Sequence, residues 1–526
     1  KAPASPLKNF ERAKSWQVDA IDRATTGAVR LFWHPTGTCK TSTTLWTLDR
    51  LCLGLTLVVT KAVGRESWPR DAAWASRGRR VALLLGTGTE AAAAAARRAD
   101  LRLEGLRARG AVVCATSSLK AARDWGADTV VIAWESLDPG SENPAAGRTA
   151  RLTERFVELQ ATPWAAVVFD EHHCGKNRRA LRTRAALELS KRRRYVFGLT
   201  ATPIPDRPRD AFTQLRMTVP QVTGASYWRW SDRYQHTVLD SNGFRVDTGP
   251  CPVGQCRQCD ERRAELFGRL SFYVDKITLE DPRVRAELPA RTRCVLRVPM
   301  AGKRRHDYLG RLKPIGGGDG MEWAIAEAAE AVADAVASHA ADLLNQRMKI
   351  AVVGNRVSWV AKMKARIESR LSGATARDWQ CWEATGEVEI SKRLAWRAEY
   401  EVAQGPACFI ATEACIRTSI DLHTSNRMLV AAPPVTPEQL LQLEGRVYRV
   451  GGVPVGIDYF IGEGTIHEVI EERVIDKLEQ VEAAGALTDP SATFLGEVDE
   501  GAVMAAGLAW LKAQAESIIQ TEERAA

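Results

Sequence analysis

The sequence predicts an α/β protein with two tandem lobes, each built on a parallel β-sheet. Up to about residue 290, short apolar runs with the length of buried strands alternate with segments of helical pattern. This alternation indicates parallel βαβ units. It resumes after an alanine-rich helix predicted at Trp323–Leu344, which places a second α/β lobe downstream. The length of 526 residues leaves room for three or four folding units.

The first lobe is expected at residues 1–218. Its strands are predicted at Val29–Trp33, Leu55–Thr60, Val81–Leu85, Ala111–Cys114, Thr129–Ala133, Ala165–Phe169 and Arg194–Leu199. Parallel sheets bind ligands beyond the carboxyl ends of their strands. The residues that follow these strands are therefore the first candidates for a functional site.

Three further segments follow the first lobe. Residues 219–291 form an expected linker or insertion that carries aromatic residues, basic residues and a cysteine cluster. The second lobe is expected at residues 292–464, and a helical C-terminal extension at residues 465–526, with a final helix near Ala502–Glu523. The second-lobe strands are predicted at Lys349–Val353, Ala407–Ile410, Arg427–Ala431 and Ile457–Phe460.

The composition is that of an ordinary globular protein, with 45% hydrophobic and 26% charged residues. A net charge of +9 favours a polyanionic partner over an acidic protein. No apolar run is long enough to span a membrane, and Lys1–Phe10 lacks the apolar core of a secretory signal. The cysteines are mostly scattered, which is typical of reduced thiols. We therefore expect a cytoplasmic protein, and the alanine- and arginine-rich composition suits a bacterium or a phage-infected host cell.

A phosphate-binding turn is predicted at His34–Thr41, between a strand and the helical segment Ser42–Arg50. Such a turn presents successive backbone N–H groups to an anion. Lys40 would reach the β- and γ-phosphates, and the Thr41 hydroxyl would bind magnesium. The remaining residues expected to hold the nucleotide here are Gly37, Thr38 and Cys39. The alternative is a purely structural turn before a helix.

A pair of carboxylates follows the buried strand that ends at Phe169. Asp170 is placed to hold magnesium, and Glu171 is placed to polarise the water that attacks the γ-phosphate. The alternative is an acidic loop that caps a helix. Farther along, Thr200 and Thr202 end another predicted strand, where a sensor between an ATP site and a DNA track would lie.

The second lobe contains Gln442–Arg449, in which Arg446 and Arg449 are three residues apart. This spacing would place both arginines on one face of a helix. From the opposing lobe they would act as arginine fingers that stabilise charge on the γ-phosphate in the transition state. A solvated helix face is the alternative.

In this order, these motifs resemble those of the superfamily-two helicases and, within them, the Swi/Snf-type DNA translocases. The resemblance covers most of the chain. Other segments that resemble the family's motifs are Leu57–Trp68, Val131–Leu137, Asp170–Asn177, Leu199–Pro205, Glu287–Pro289, Phe409–Thr412, Ile420–Leu422, Gln442–Gly451 and Gly464–Glu468.

The resemblance implies two RecA-like lobes that use ATP and magnesium to track along duplex DNA and displace DNA-bound proteins. It implies that Gln17 reads adenine and that Gln442 belongs to the nucleotide site. It also implies that Thr60, Thr200, Thr202 and Thr412 contact nucleic acid or couple it to hydrolysis. Other possibilities are a strand-separating helicase, an annealing motor on forked DNA, or a nucleic-acid-binding scaffold with a degenerate ATP site. Cys39, where the family has glycine, is the one feature that favours the scaffold.

Two features lie outside these motifs. Cys251, Cys256 and Cys259 have spacing that suits zinc, with His236 or Cys294 as a fourth ligand. The alternative is a loop with incidental thiols. The basic stretch Arg178–Arg194 is expected either to contact a phosphate backbone or to be a solvated helix face.

Overall fold

The computed structural model describes residues 7–76, 78–85, 90–137, 153–201, 210–239, 245–249, 256–300, 302, 304–305, 307–308 and 318–475. These residues divide into two units, the first ending at Val284 and the second beginning at Arg285. Most of the predicted C-terminal extension lies outside the described residues. The division into four segments therefore stays a prediction. Within the ranges above, no helix is both long enough and apolar enough to cross a membrane.

The first unit is built on an eight-stranded sheet. In chain order its strands are β1 Leu31–Trp33, β2 Thr56–Thr60, β3 Arg80–Leu84, β4 Val112–Thr116, β5 Thr129–Ala133, β6 Ala166–Asp170 and β7 Val196–Thr200. A separate antiparallel hairpin follows, with β8 His236–Leu239 and β9 Arg245–Gly249. Strand β10, Val274–Lys276, then completes the sheet. The strand order is β10-β1-β7-β6-β2-β5-β3-β4, and all neighbours are parallel.

Helices cover both faces of this sheet. They are Ser15–Thr26, Lys40–Arg50, Ser67–Ala75, Glu90–Arg102, Glu104–Ala108, Leu119–Asp124, Glu154–Ala161, Leu181–Ser190, Asp210–Thr218, Pro220–Thr223, Tyr227–Tyr234, Arg257–Leu270 and Pro282–Arg285, with short 3-10 turns at Phe10–Arg12, Ala62–Gly64, Trp134–Ser136 and His172–Gly175. Successive strand side chains point to opposite faces. Accordingly, Val58 belongs to one buried apolar cluster, and Leu57 and Val59 belong to the other. A sheet buried on both faces explains why its strands are continuous apolar runs.

The insertion has an apolar core of its own that extends onto the first sheet. Trp230 and Tyr234 of one helix pack in the same cluster as Leu266 and Leu270 of another. The cluster also contains Leu31 and Trp33 of β1 and Val274 of β10. These two helices of the insertion therefore pack against the β1–β10 side of the first sheet.

The second unit is built on a six-stranded sheet in which all neighbours are parallel. Its strands are β11 Arg291–Val298, β12 Lys349–Gly354, β13 Gln380–Ala384, β14 Ala407–Thr412, β15 Arg427–Val430 and β16 Val455–Gly462, in the order β11-β16-β15-β12-β14-β13. Its helices are Gly318–Ala331, Ala333–Asn345, Val357–Glu368, Thr375–Asp378, Ile390–Val402, Glu413–Ser419, Pro437–Glu444 and Ile466–Ile470, with a π-turn at Glu471–Ile475. The two faces of β12 again belong to different apolar clusters.

The predicted fold class, two parallel-sheet α/β lobes in tandem, is confirmed. One helix was predicted wrongly, because the alanine-rich segment Trp323–Leu344 is interrupted at Val332 and forms parts of two consecutive helices. Strands β8, β9, β10, β11 and β13 were not predicted.

Candidate active site

The predicted phosphate turn lies between the end of β1 and the helix Lys40–Arg50. Gly37 and Cys39 both adopt left-handed backbone conformations, with φ of 85° and 60°. The Thr38 hydroxyl donates a hydrogen bond to the Pro35 carbonyl at 2.7 Å and closes the turn. Lys40 Nζ donates to the carbonyls of His34 and Pro35 at 2.9 and 3.1 Å. The turn thus holds the Lys40 ammonium directly over its own backbone.

Cys39 is the residue that precedes the helix, and it is exposed. A left-handed conformation costs a residue with a Cβ atom roughly 1–2 kcal/mol. Glycine does not bear this cost. The backbone at Cys39 therefore has the shape that the family's glycine would adopt freely. Thr41 follows in the first turn of the helix and is partly exposed.

Gln17 connects the first helix to the phosphate turn. Its Nε2 donates to Thr43 Oγ1 at 2.9 Å and lies 3.5 Å from the Cys39 carbonyl. Its Oε1 accepts from the backbone N–H of Lys14 at 3.0 Å. The side chain is buried. The structure places Gln17 beside the turn, and its reading of adenine stays a prediction.

Asp170 ends β6 and is surrounded by polar groups. Its Oδ2 accepts from the Thr60 hydroxyl at 2.9 Å and from the Trp68 indole at 3.3 Å, and its Oδ1 accepts from the backbone N–H of Glu171 at 3.0 Å. Burial, followed by the charge of Glu171, raises the pKa of Asp170 to about 6, although the Thr60 hydrogen bond and the Lys40 charge act in the opposite direction. The Lys40 charge thus favours the ionised form of Asp170, against the effect of burial.

Glu171 has a left-handed backbone, with φ of 49°, which turns the chain sharply after β6. Its Oε2 lies 3.4 Å from His173 Nδ1, and the same nitrogen lies 3.1 Å from Thr200 Oγ1 at the end of β7. Burial lowers the pKa of His173 to about 4, so its ring is neutral near pH 7. A neutral imidazole thus connects the second carboxylate to the predicted sensor strand. His173 was not predicted to be a site residue.

A second group missed from the sequence lies behind the phosphate turn. Asp275 of β10 accepts hydrogen bonds from Arg23 Nη1 at 2.6 Å and from His34 Nε2 at 2.7 Å. His34 is fully buried, and burial lowers its pKa. Because the His34 carbonyl accepts from Lys40, this ion-pair network supports the turn that holds the lysine. No local sequence signal marks it, since Asp275 is 241 residues from His34.

In the second unit, Arg446 and Arg449 share a carboxylate. Arg446 Nη1 lies 3.1 Å from Asp421 Oδ1, and Arg449 Nη1 lies 2.5 Å from the same oxygen. Arg446 also donates to the Arg417 carbonyl through two nitrogens. The prediction that both arginines lie on a helix is wrong, because the helix Pro437–Glu444 ends at Gly445 and the chain continues in turns. The turns nevertheless bring both guanidinium groups to one point.

The remaining predicted residues are distributed over both units. Gln442 is buried in the helix before the arginines, and Thr412 is buried at the end of β14. His236, Cys256 and Cys259 lie together in the insertion, and Cys294 is exposed on β11 of the second unit. Thr202 and Cys251 lie outside the described residues.

Chemically, the first-unit site combines a cation, two carboxylates and a turn that exposes a helix N-terminus. The oxygen donors of Asp170 and Thr41 are of the type that Mg²⁺ prefers. The turn after β1 and the carboxylates after β6 lie on strands separated only by β7. This arrangement suits the binding of a nucleoside triphosphate with its metal ion.

Comparison with known proteins agrees with this geometry. The model of the SNF2-related domain matches residues 36–351. The chain is 24% identical over 340 residues to the Homo sapiens DNA annealing helicase and endonuclease ZRANB3, covering 60% of this chain and 29% of that protein. It is 24% identical over 353 residues to the Mus musculus protein of the same name, covering 63% and 31%. The chain thus spans less than a third of the length of these relatives.

Among solved structures, the Sulfolobus solfataricus SWI2/SNF2 ATPase core in complex with dsDNA is 15% identical, with a TM-score of 0.39 and coverage of 95% of this chain and 97% of that chain. The family model itself extends over more than half of the sequence. The chain therefore belongs to the SNF2-related domain family.

Proposed function

We propose that this protein is an ATP-dependent DNA translocase that moves along double-stranded DNA and remodels nucleic-acid or protein–DNA structures. The observation that carries the proposal is the convergence of Lys40, Asp170 and Glu171 at the carboxyl edge of one sheet. The turn that holds Lys40 follows β1, and the two carboxylates lie at the end of β6, which only β7 separates from β1.

Each group has a distinct proposed role in hydrolysis. Lys40 exchanges its two carbonyl partners for the β- and γ-phosphates, which are stronger acceptors for a cation. Asp170 and Thr41 hold magnesium, which neutralises developing phosphate charge when bound. Glu171 orients and polarises the attacking water. Arg446 and Arg449 stabilise the charge of the transition state during turnover.

The contact between His173 and Thr200 supports a coupling function for the strand β7. His173 Nδ1 lies within 3.4 Å of both the Glu171 carboxylate and the Thr200 hydroxyl. A displacement of the chain after β7 would therefore move a group that contacts the proposed catalytic carboxylate. Thr200 and Thr202 are the residues through which we propose that DNA binding reaches the ATP site.

Exposed basic residues of the first unit support a nucleic-acid partner. Arg178, Arg179, Arg182, Arg184, Lys191, Arg192 and Arg194 are exposed, in and around the helix Leu181–Ser190. Arg178 lies over the Tyr227 ring at 4.3 Å from its centroid, which fastens this basic segment to the insertion. Such cations bind phosphates without reading sequence. We therefore propose salt-dependent binding of duplex DNA of any sequence.

The decisive experiment measures ATPase rates with single-stranded DNA, duplex DNA, forked DNA and RNA. We expect duplex DNA to stimulate turnover at least as well as single strands. We also expect the motor to displace a triplex-forming third strand without unwinding a blunt duplex. Rapid unwinding of a tailed duplex, with stimulation by single strands alone, would favour a strand-separating helicase. A preference for forks accompanied by strand annealing would favour an annealing motor, the activity named for ZRANB3.

Two variants connect this assay to the site. Glu171→Gln should retain ATP and DNA binding but abolish turnover. Arg446→Ala should reduce kcat by roughly 10³–10⁵, with little change in ATP affinity. Wild-type turnover in Glu171→Gln would show that the carboxylate has been assigned the wrong role. No nucleic-acid stimulation and no turnover in the unmodified protein would leave a nucleic-acid-binding scaffold with a degenerate ATP site.

A further inference from the structure

We propose that the insertion of the first unit contains a structural zinc site formed by His236, Cys256 and Cys259. Their ligand atoms all lie within 4.8 Å of one another. The proposal concerns the folding of the insertion and does not depend on the proposed motor activity.

The geometry fits a tetrahedral ion. Cys259 Sγ lies 3.0 Å from His236 Nε2. Zinc–sulfur and zinc–nitrogen bonds of about 2.3 and 2.0 Å at a tetrahedral angle place the two ligand atoms roughly 3.6 Å apart. The observed distance between Cys259 Sγ and His236 Nε2, 3.0 Å, is somewhat shorter than this value, and all three ligand atoms lie within 4.8 Å of one another. An ion at the centre of the three atoms therefore requires only small side-chain movements.

Three different positions in the fold supply the donors. His236 is the first residue of the hairpin strand β8, Cys256 immediately precedes the helix Arg257–Leu270, and Cys259 lies in the first turn of that helix. Backbone N–H groups at a helix N-terminus stabilise thiolates, the form that binds metal. Two thiolates and an imidazole select zinc over magnesium or calcium, which prefer oxygen donors.

The burial of the donors favours a structural role over a catalytic one. Cys259 is buried, while Cys256 and His236 are partly buried. The helix that begins after Cys256 and carries Cys259 inserts Leu266 and Leu270 into the cluster that contains Trp33 of β1. Zinc at the start of this helix would fix the β8–β9 hairpin to the element that packs against the phosphate-turn strand. A tetrahedral zinc ion has a fourth ligand position, which these three residues do not fill. The proposal does not depend on which donor occupies it.

The test is the zinc content of the purified full-length protein, measured by mass spectrometry after a brief wash with chelator. We expect about one equivalent of zinc in the unmodified protein. The double variant Cys256→Ser, Cys259→Ser and the single variant His236→Ala should each retain less than about one-tenth of an equivalent. Cys52→Ser, which changes an exposed cysteine elsewhere in the first unit, should keep the full amount. Less than one-tenth of an equivalent in the unmodified protein overturns the proposal, as does full retention in the ligand variants.

A second measurement does not depend on whether the variants fold. The unmodified protein is prepared with Co²⁺ in place of zinc and examined by absorption spectroscopy. We expect a sulfur-to-cobalt charge-transfer band and the intense ligand-field bands of tetrahedral cobalt. If protein that has taken up one equivalent of cobalt shows no sulfur-to-cobalt charge-transfer band, the thiols do not bind the ion.

Discussion

The left-handed backbone at Cys39 reduces the stability of the folded protein at the proposed catalytic turn. Cys39 already stands out in the sequence as a departure, because the resembled family has glycine at this position. The structure supplies a conformational reason, φ of 60°, which no sequence pattern indicates. Cys52 offers a matched case, because it is also an exposed cysteine with a left-handed backbone, φ of 53°, but it lies after the helix Lys40–Arg50.

We predict that Cys39→Gly raises the free energy of unfolding by about 1 kcal/mol and preserves or increases ATPase activity. The gain is limited because glycine also gives the unfolded chain more freedom. Cys52→Gly should produce a similar stability gain with unchanged ATPase. Chemical denaturation and steady-state ATPase assays measure both effects. A large loss of activity in Cys39→Gly alone would show that the thiol itself contributes to the site.

Asp275 connects the short edge strand β10 to the phosphate turn, which is far from it in the sequence. Its carboxylate is nearly buried between His34 and Arg23, which is half-exposed. The network connects β10, the first helix and the residue that follows β1. We therefore expect the Asp275 network both to position the phosphate turn and to stabilise the edge of the sheet.

We predict that Asp275→Asn lowers the free energy of unfolding by about 2 kcal/mol, because two hydrogen bonds lose their charged acceptor. The KM for ATP should rise several-fold while kcat changes less, since Lys40 is anchored by the carbonyl of His34. Asp19→Asn is the control, because it disrupts the exposed pair with Arg283 and should cost at most about 1 kcal/mol. Equal effects of both variants on KM would contradict a positioning role for Asp275.

The sequence predicted the central strands of both sheets and missed strands at their edges. Each central strand is an apolar run buried on both faces, a pattern visible without a structure. Strands β10, β11 and β13, which were missed, all lie at sheet edges. Strand β11 mixes three arginines and a threonine with apolar residues, and β10 has three residues, so neither has a strong pattern.

The residues of the candidate site likewise divide into those that local patterns predicted and those that they missed. Lys40, Thr41, Asp170 and Glu171 follow predicted central strands or begin the next helix, and their order along the chain located them. Contacts such as that between Asp275 and His34 depend on which strands become neighbours. The strand order of a sheet is not determined by any local pattern.

At the scale of the molecule, the described residues include buried histidines that are neutral near pH 7: His34, His172 and His173 in the first unit and His467 in the second. Burial lowers the pKa of His467, in the second unit, to about 4. The folded protein therefore resists protonation at pH values where the unfolded chain, with a pKa near 6.5, accepts a proton. The unfolded state binds more protons, so stability falls as pH falls below about 6.5. In the first unit, His172 and His173 act in the same direction, while the raised pKa of Asp170 opposes them.

We predict that the second unit loses about 1.5 kcal/mol of stability through His467 between pH 6.5 and pH 5. Carboxylates with ordinary pKa values remain mostly ionised in this range, so the histidine effect is separable. Urea unfolding at both pH values, followed by hydrogen exchange to distinguish the two units, measures it. His467→Gln should reduce the pH dependence of the second unit alone. An unchanged pH dependence in that variant would assign the effect to other groups.

The exposed cysteine of the phosphate turn also makes the site chemically addressable. The Cys39 thiol is a soft nucleophile beside the site proposed for the phosphates. The family that the sequence resembles usually has glycine at this position, which has no reactive side chain. A bound nucleotide would shield this sulfur, and an alkylating reagent that reached it first would exclude the nucleotide. The rate of alkylation at Cys39 thus becomes a footprint of occupancy that requires neither turnover nor DNA. The same atom gives covalent ligands a point of attachment at the proposed ATP site.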